Sequence, residues 1–206
     1  LLLQRVIINL VKKILGHDEK DAPFKIVGLE SSEVKVTLNI GSVKGADEDR
    51  RVALKGVIDR VDEVTLEDGN PAYRIIDYKT GAVEFVSATS RGKAIPIDTY
   101  FHKYFDDPKY KAGFQIYLYS YLYWRQERSL GVENPRILAG IYSLKEVNKG
   151  IRYLQGKKLI SNKFFEAFEF RLKEMLQEIF NEEEDFVQTE KEDRYKFSPY
   201  KRLVNF

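Results

Sequence analysis

GVIDRVDEV, residues 56–64, followed by RIIDYKTG, residues 74–81, is the part of the chain from which the fold can be read. Both runs are rich in Val and Ile, and the Asp68-Gly69 step between them is a strong hairpin signal. Paired through that turn, they place Asp59 on the strand beside Asp77. A strand sends residues i and i+2 to one face, so Asp77 and Lys79 project together while Ile76 and Tyr78 point the other way. Two carboxylates and one ammonium group then converge. An isolated D-x-K on an exposed strand makes only a weak solvated pair. Here Asp77 follows Ile75-Ile76, where a charge is costly unless it is paired or used. Thr80-Gly81 then ends the strand and opens the place where the three groups meet.

Working outward, FKIVGLE (24–30), EVKVTLNIG (33–41) and RRVALKGVIDRVDEVT (50–65) alternate like half-buried strands, and AYRIIDYKTGAV (72–83) completes an antiparallel meander. Upstream, Leu3, Val6, Ile7, Leu10 and Ile14 recur at helical spacing and predict an amphipathic helix over 1–15, ended by HDEKDAP. Residues 84–109 have no period and are expected to form a long irregular connection. KYKAGFQIYLYSYLYWRQERSL (109–130) reads as a helix, ILAGIYSL (137–144) as a buried strand, and NKFFEAFEFRLKEMLQEIFNEEE (162–184) as a helix. In that last helix Phe165, Phe168, Leu172, Met175, Leu176 and Ile179 form one stripe. The order α–β–β–β–β–α–β–α predicts an α/β (α+β) fold with a central mixed sheet flanked by helices.

The bulk properties are permissive. With 206 residues, 43% of them apolar and 32% charged, the chain can bury a core as a single domain over 1–206. A net charge of +2 gives no bulk pull toward nucleic acid, so a binding surface must be local. With no cysteine there are no disulfides, thiolate zinc sites or iron–sulfur cluster, and nothing points to an oxidising compartment. No apolar run has transmembrane length, so a cytoplasmic location without membrane contact is expected. The chain begins without Met inside a helical pattern, which suggests a domain excised from a larger protein. Walker A, G-x-G-x-x-G and G-x-S-x-G motifs are all absent.

Paired carboxylates beside a lysine suit phosphodiester hydrolysis. Carboxylate oxygens are hard ligands for Mg²⁺ or Mn²⁺, which keep positions open for water and phosphate. A bound ion lowers the pKa of its water and neutralises charge developing at phosphorus, and a lysine can orient the water or stabilise that charge.

With those residues in view, G-x-I-D-R-x-D followed by I-I-D-Y-K-T-G resembles the signature of the RecB-like and AddB-like branch of the PD-(D/E)XK nuclease superfamily. Gln115-Ile116-Tyr117-Leu118-Tyr119 is similar to the downstream Q-[IL]-x-L-Y helix of that branch. The resemblance implies a restriction-endonuclease-like core and a metal-dependent deoxyribonuclease, exonuclease rather than endonuclease. Asp59, Asp77 and Lys79 would be catalytic, with the metal on Asp59, Asp77 and the Tyr78 backbone carbonyl. Gln115 and Tyr119 would support the site or contact DNA, while Tyr117, Tyr121 and Trp124 belong to core or interface. It also implies DNA, as single strands or duplex ends, and a helicase domain or subunit as partners.

The match is incomplete in two places. The usual additional His or Glu ligand upstream of the sheet has no clear equivalent. His17 is expected in solvent, and Glu30 is the candidate further ligand. The irregular tail 190–206 contains Tyr195-Lys196-Phe197-Ser198-Pro199-Tyr200, similar to a cluster-binding Cys-x-x-Cys-Pro-[FY] segment without its thiols. Arg91 and Lys93, with Lys145, Lys149, Arg152, Lys157 and Lys158, are candidate phosphate contacts or ordinary surface. A second reading keeps the fold without catalysis, as a module that binds single-stranded DNA or docks a helicase subunit.

Overall fold

A computed structural model of the chain describes residues 2–44, 48–90 and 92–186. Arg91 and the tail from 190 onward lie outside the described residues. Five strands form one mixed sheet in the order β1-β2-β3-β6-β7. They are β1 (Phe24–Ser42), β2 (Asp49–Thr65), β3 (Pro71–Lys79), β6 (Ile137–Ser143) and β7 (Ile151–Tyr153). All neighbours are antiparallel except β3 and β6. That parallel pair needs a crossover, supplied by helices α2 (Ile97–Asp106) and α3 (Lys111–Ser129). A two-stranded hairpin, β4 (Thr89–Ser90) with β5 (Lys93–Ala94), precedes α2. Helix α1 (Leu2–Asp21) lies on one face of the sheet, and α3 with α4 (Asn162–Ile179) on the other. This is the α/β architecture with a central mixed sheet flanked by helices that the sequence predicts.

The core lies between the sheet and α3, α2 and α4. Tyr117, Tyr121 and Trp124 of α3 are buried there with Phe101 of α2 and Phe165 and Phe168 of α4. Phe101 meets Tyr117 edge-on with centroids 5.2 Å apart, and Trp124 stacks on Phe165 at 5.0 Å. Ile179, assigned to the buried stripe of α4 from its spacing, is 44% exposed because the helix ends there beyond the core.

Four expectations need correction. The first helix runs to Asp21 rather than 15, because His17, Asp18 and Asp21 continue its docked side with polar contacts after Leu10 and Ile14. FKIVGLE and EVKVTLNIG are one strand: Glu30, at φ 43°, sits in a bulge that absorbs the polar break between Leu29 and Ser32. The stretch 84–109 contains α2, whose Tyr100, Phe101 and Tyr104 are buried at helical spacing. Finally, β7 and the 3₁₀ segment Leu144–Lys149 follow β6, where the sequence showed only a polar stretch.

One irregularity positions the site. Gly56 and Ile58 of β2 face α3, and so does Val61, three residues further on. Regular alternation would turn Val61 away. The pleat therefore changes phase at Asp59, beside the β1 bulge.

Candidate active site

Asp59 occupies that phase change. The β2–β3 ladder ends at Arg60 paired with Ile76, and beyond it the Asp59 carboxylate Oδ2 accepts the Tyr78 backbone N–H at 2.8 Å. A side chain thus takes the ladder's place and is held against β3. In an extended strand the N–H and C=O of one residue point to the same neighbour. The Tyr78 carbonyl therefore projects to the side of Asp59.

Asp77 lies on the floor, 1% exposed. Lys79 Nζ donates to its Oδ1 at 3.0 Å and stands 2.8 Å from Oδ2, yet Oδ2 has no hydrogen-bond partner of its own. Burial pushes the Asp77 carboxyl above the usual carboxylate range. The bond and charge of Lys79 oppose that rise, and the charge of Asp59 adds to it. The same ammonium donates to Gln115 Oε1 at 2.8 Å, and Gln115 Nε2 donates to the Tyr119 hydroxyl at 2.8 Å. Gln115 and Tyr119 are four apart on α3 and share a helix face. The chain Tyr119–Gln115–Lys79–Asp77 thereby links α3 to β3. Lys79 keeps 28% of its side-chain surface open, so the site is not sealed from solvent.

Gly56, the first letter of the G-x-I-D-R motif, has a role the sequence did not disclose. A Cβ there would stand 2.9 Å from Cε1 of Tyr119. Only glycine lets the tyrosine ring close on β2 and hold its hydroxyl at Gln115.

The remaining charged letters of the motif serve the opposite face. Asp62, fully buried, accepts Arg60 Nε at 2.7 Å on Oδ1, and Arg74 Nε at 3.0 Å and Nη2 at 2.8 Å on Oδ2. Arg60 also reaches Asp18 of α1 at 2.7 Å and the Tyr78 hydroxyl at 3.3 Å, and Arg74 reaches Asp21 at 2.7 Å. Both guanidinium groups lie over the Phe24 ring, at 5.0 and 4.9 Å, and one nitrogen, Arg60 Nη2, has no hydrogen-bond partner. Burial works against the Arg60 charge, but its bonds to Asp62, Asp18 and Tyr78 outweigh it and raise the pKa further. This network docks α1. Charges placed two apart on otherwise buried strands were the signal for it.

The other candidates are used differently. His17 is half-buried, its Nε2 2.8 Å from the Val147 carbonyl oxygen, so it is a structural contact rather than a solvated residue. Glu30 is exposed in the β1 bulge. Among the described residues no three His, Cys, Asp or Glu side chains form a group that could hold a metal, so Glu30 does not complete a triad with Asp59 and Asp77. Lys93 is exposed on the β4–β5 hairpin. Arg152 lies 3.1 Å from Glu146 and donates to the Val83 carbonyl, Lys149 pairs with Glu146 at 2.5 Å, and Lys157 with Asp21 at 3.6 Å. Lys145 and Lys158 are exposed.

The donor set fits a hard divalent cation. Asp77 contributes a buried oxygen without a hydrogen-bond partner, and a second carboxylate stands beside it. Mg²⁺ typically takes one or two carboxylates and completes its shell with water and substrate phosphate. The sequence profile of the PD-(D/E)XK nuclease superfamily matches residues 2–194. The chain belongs to this superfamily. Searches among curated proteins and among solved structures find no match. PD-(D/E)XK nucleases generally use divalent metals.

Proposed function

We propose that this PD-(D/E)XK protein hydrolyses DNA phosphodiesters with Mg²⁺ or Mn²⁺. The observation that carries the proposal is the junction of Asp59, Asp77 and Lys79, where a buried carboxylate oxygen has no hydrogen-bond partner beside a partly exposed lysine. Asp59, Asp77 and the Tyr78 carbonyl hold the cation. When bound, the metal supplies an activated water and charge neutralisation at phosphorus. Lys79, held by Asp77 and Gln115, orients that water and stabilises negative charge on the phosphate as it develops. Gln115 and Tyr119 fix the ammonium so that it does not have to reorganise during the reaction.

The order of the three motifs supports placement in the RecB-like or AddB-like branch. On that basis the protein acts on DNA ends as an exonuclease, beside a helicase domain or subunit, in repair of double-strand breaks in the cytoplasm. Among the described residues no helix is long and apolar enough to cross a membrane. The absence of a third acidic or histidine ligand among those residues favours a second reading, a DNA-binding module without catalysis.

Labelled single- and double-stranded DNA, incubated with Mg²⁺ or Mn²⁺ and either the protein or its Lys79→Ala variant, separates the two. Metal-dependent cleavage that disappears in the variant supports the nuclease. DNA retention by both proteins without cleavage supports the binding module.

A further inference from the structure

The side of α1 that continues beyond its docked stripe is apolar and, among the described residues, uncovered. Leu15, Val11 and Ile8 lie three, seven and ten residues before Asp18, hence on its side of the helix, the side that reaches Arg60 of β2. On that same face of the sheet, Ile26 stands opposite Asp62, Leu29 opposite Arg60, and Val57 opposite Glu33. These six side chains are 45–58% exposed. Three lie on the helix and three on the sheet face that its Asp18 reaches, and apolar side chains exposed together on one face mark an interaction surface.

The helix rim is basic, and the sheet rim carries two lysines with one glutamate. Arg5 and Lys12, three before and four after Ile8, flank the helix residues, and no acidic residue occurs between Leu2 and His17. On the sheet, Lys35 stands directly opposite Lys55, a like-charge pairing that disfavours the bare sheet. Glu33 lies 3.3 Å from Lys55, whereas Lys35 makes no hydrogen bond or ion pair among the described residues.

We infer that this surface receives an amphipathic helix of another polypeptide, its apolar ridge on the exposed helix and sheet residues and its acidic flanks against the two rims. Such a helix completes the layer that α1 begins, since among the described residues α1 alone leaves part of this sheet face open. A second copy docking through the same patch would set lysine-bearing rim against lysine-bearing rim. A flat bilayer would reach α1 but not the sheet residues. The inference concerns a surface on the face away from Asp77 and holds whether or not the protein cleaves DNA.

The test is selection from a displayed library of 18-residue helices with a fixed Leu/Ile ridge and flanks varied among Glu, Gln and Lys. Enrichment of Glu over Lys is expected. Val11→Glu and Leu29→Glu should each weaken the selected peptide at least tenfold, and Lys35→Glu several-fold, without shifting the thermal unfolding curve, because all three positions are exposed. No enrichment, enrichment of Lys, or affinity indifferent to Val11→Glu and Leu29→Glu would overturn the inference. So would self-association in sedimentation that Val11→Glu abolishes. Binding to phosphatidylglycerol vesicles that responds to Val11→Glu but not to Leu29→Glu would overturn it too.

Discussion

The two faces of the β2–β3 pair bury charge in opposite ways. On the α1 face, Asp62 accepts three hydrogen bonds from two arginines, which in turn hold Asp18 and Asp21. On the α3 face, Asp77 has one lysine and an oxygen without a hydrogen-bond partner. Both carboxylates are almost completely buried, so burial alone does not distinguish them. What differs is how fully their bonding capacity is met. A fully bonded buried charge fixes one element against another, and breaking it is expensive. An under-bonded one raises the energy of the empty site and leaves an interaction for something that binds later.

Substitutions can break or sharpen that contrast. The largest effect is expected from Lys79→Ala, which should lower DNA cleavage by about 10²–10⁴-fold and also lower the unfolding transition, because it strands the buried Asp77 carboxylate; single-turnover assays beside thermal melts will check both halves. Asp62→Ala should cost about 3–5 kcal/mol in stability, because it strands two buried guanidinium groups. Denaturant titration measures that loss, and a change within 1 kcal/mol would mean that α1 does not depend on the network. Gly56→Ala is expected to cost roughly 1–3 kcal/mol by overpacking against Tyr119. It should also reduce cleavage by about tenfold as the Gln115–Lys79 contact shifts. The smallest effect is the most discriminating. In metal-free buffer Asp77→Asn should leave stability unchanged or raise it by about 1 kcal/mol, since it removes a buried, incompletely bonded charge. A loss of several kcal/mol would place Asp77 in the same class as Asp62.

The sequence exposed the site better than the scaffold. Asp59, Asp77 and Lys79 were legible because charge in a run of Val and Ile is rare and the period of two is unambiguous, whereas Gln115 and Tyr119 came from the resemblance of residues 115–119 to the Q-[IL]-x-L-Y helix. The identities of α1, β2, β3, α3, β6 and α4 followed from periodicity, whereas α2 and β7 did not. The bulge at Glu30 was not legible, because three polar residues look the same whether a strand ends or merely shifts register. The pleat change at Asp59 was hidden for a related reason: it depends on how β1 and β3 grip β2 from either side. The periodicity of Ile97, Tyr100, Phe101 and Tyr104 was present but masked by Gly92 and Pro96 nearby. The role of Gly56 required knowing which helix crosses it, and Arg60, Asp62 and Arg74 stood inside the motif without showing that they face the other way.

Calorimetric titration of Mn²⁺ into the protein and its Asp77→Asn and Glu30→Gln variants tests the proposed metal site most directly. Binding should be present in the unmodified protein, lost in Asp77→Asn and retained in Glu30→Gln. Absence of Mn²⁺ binding by the unmodified protein, or binding that survives Asp77→Asn, would contradict the assignment of the Asp77 face as the metal site.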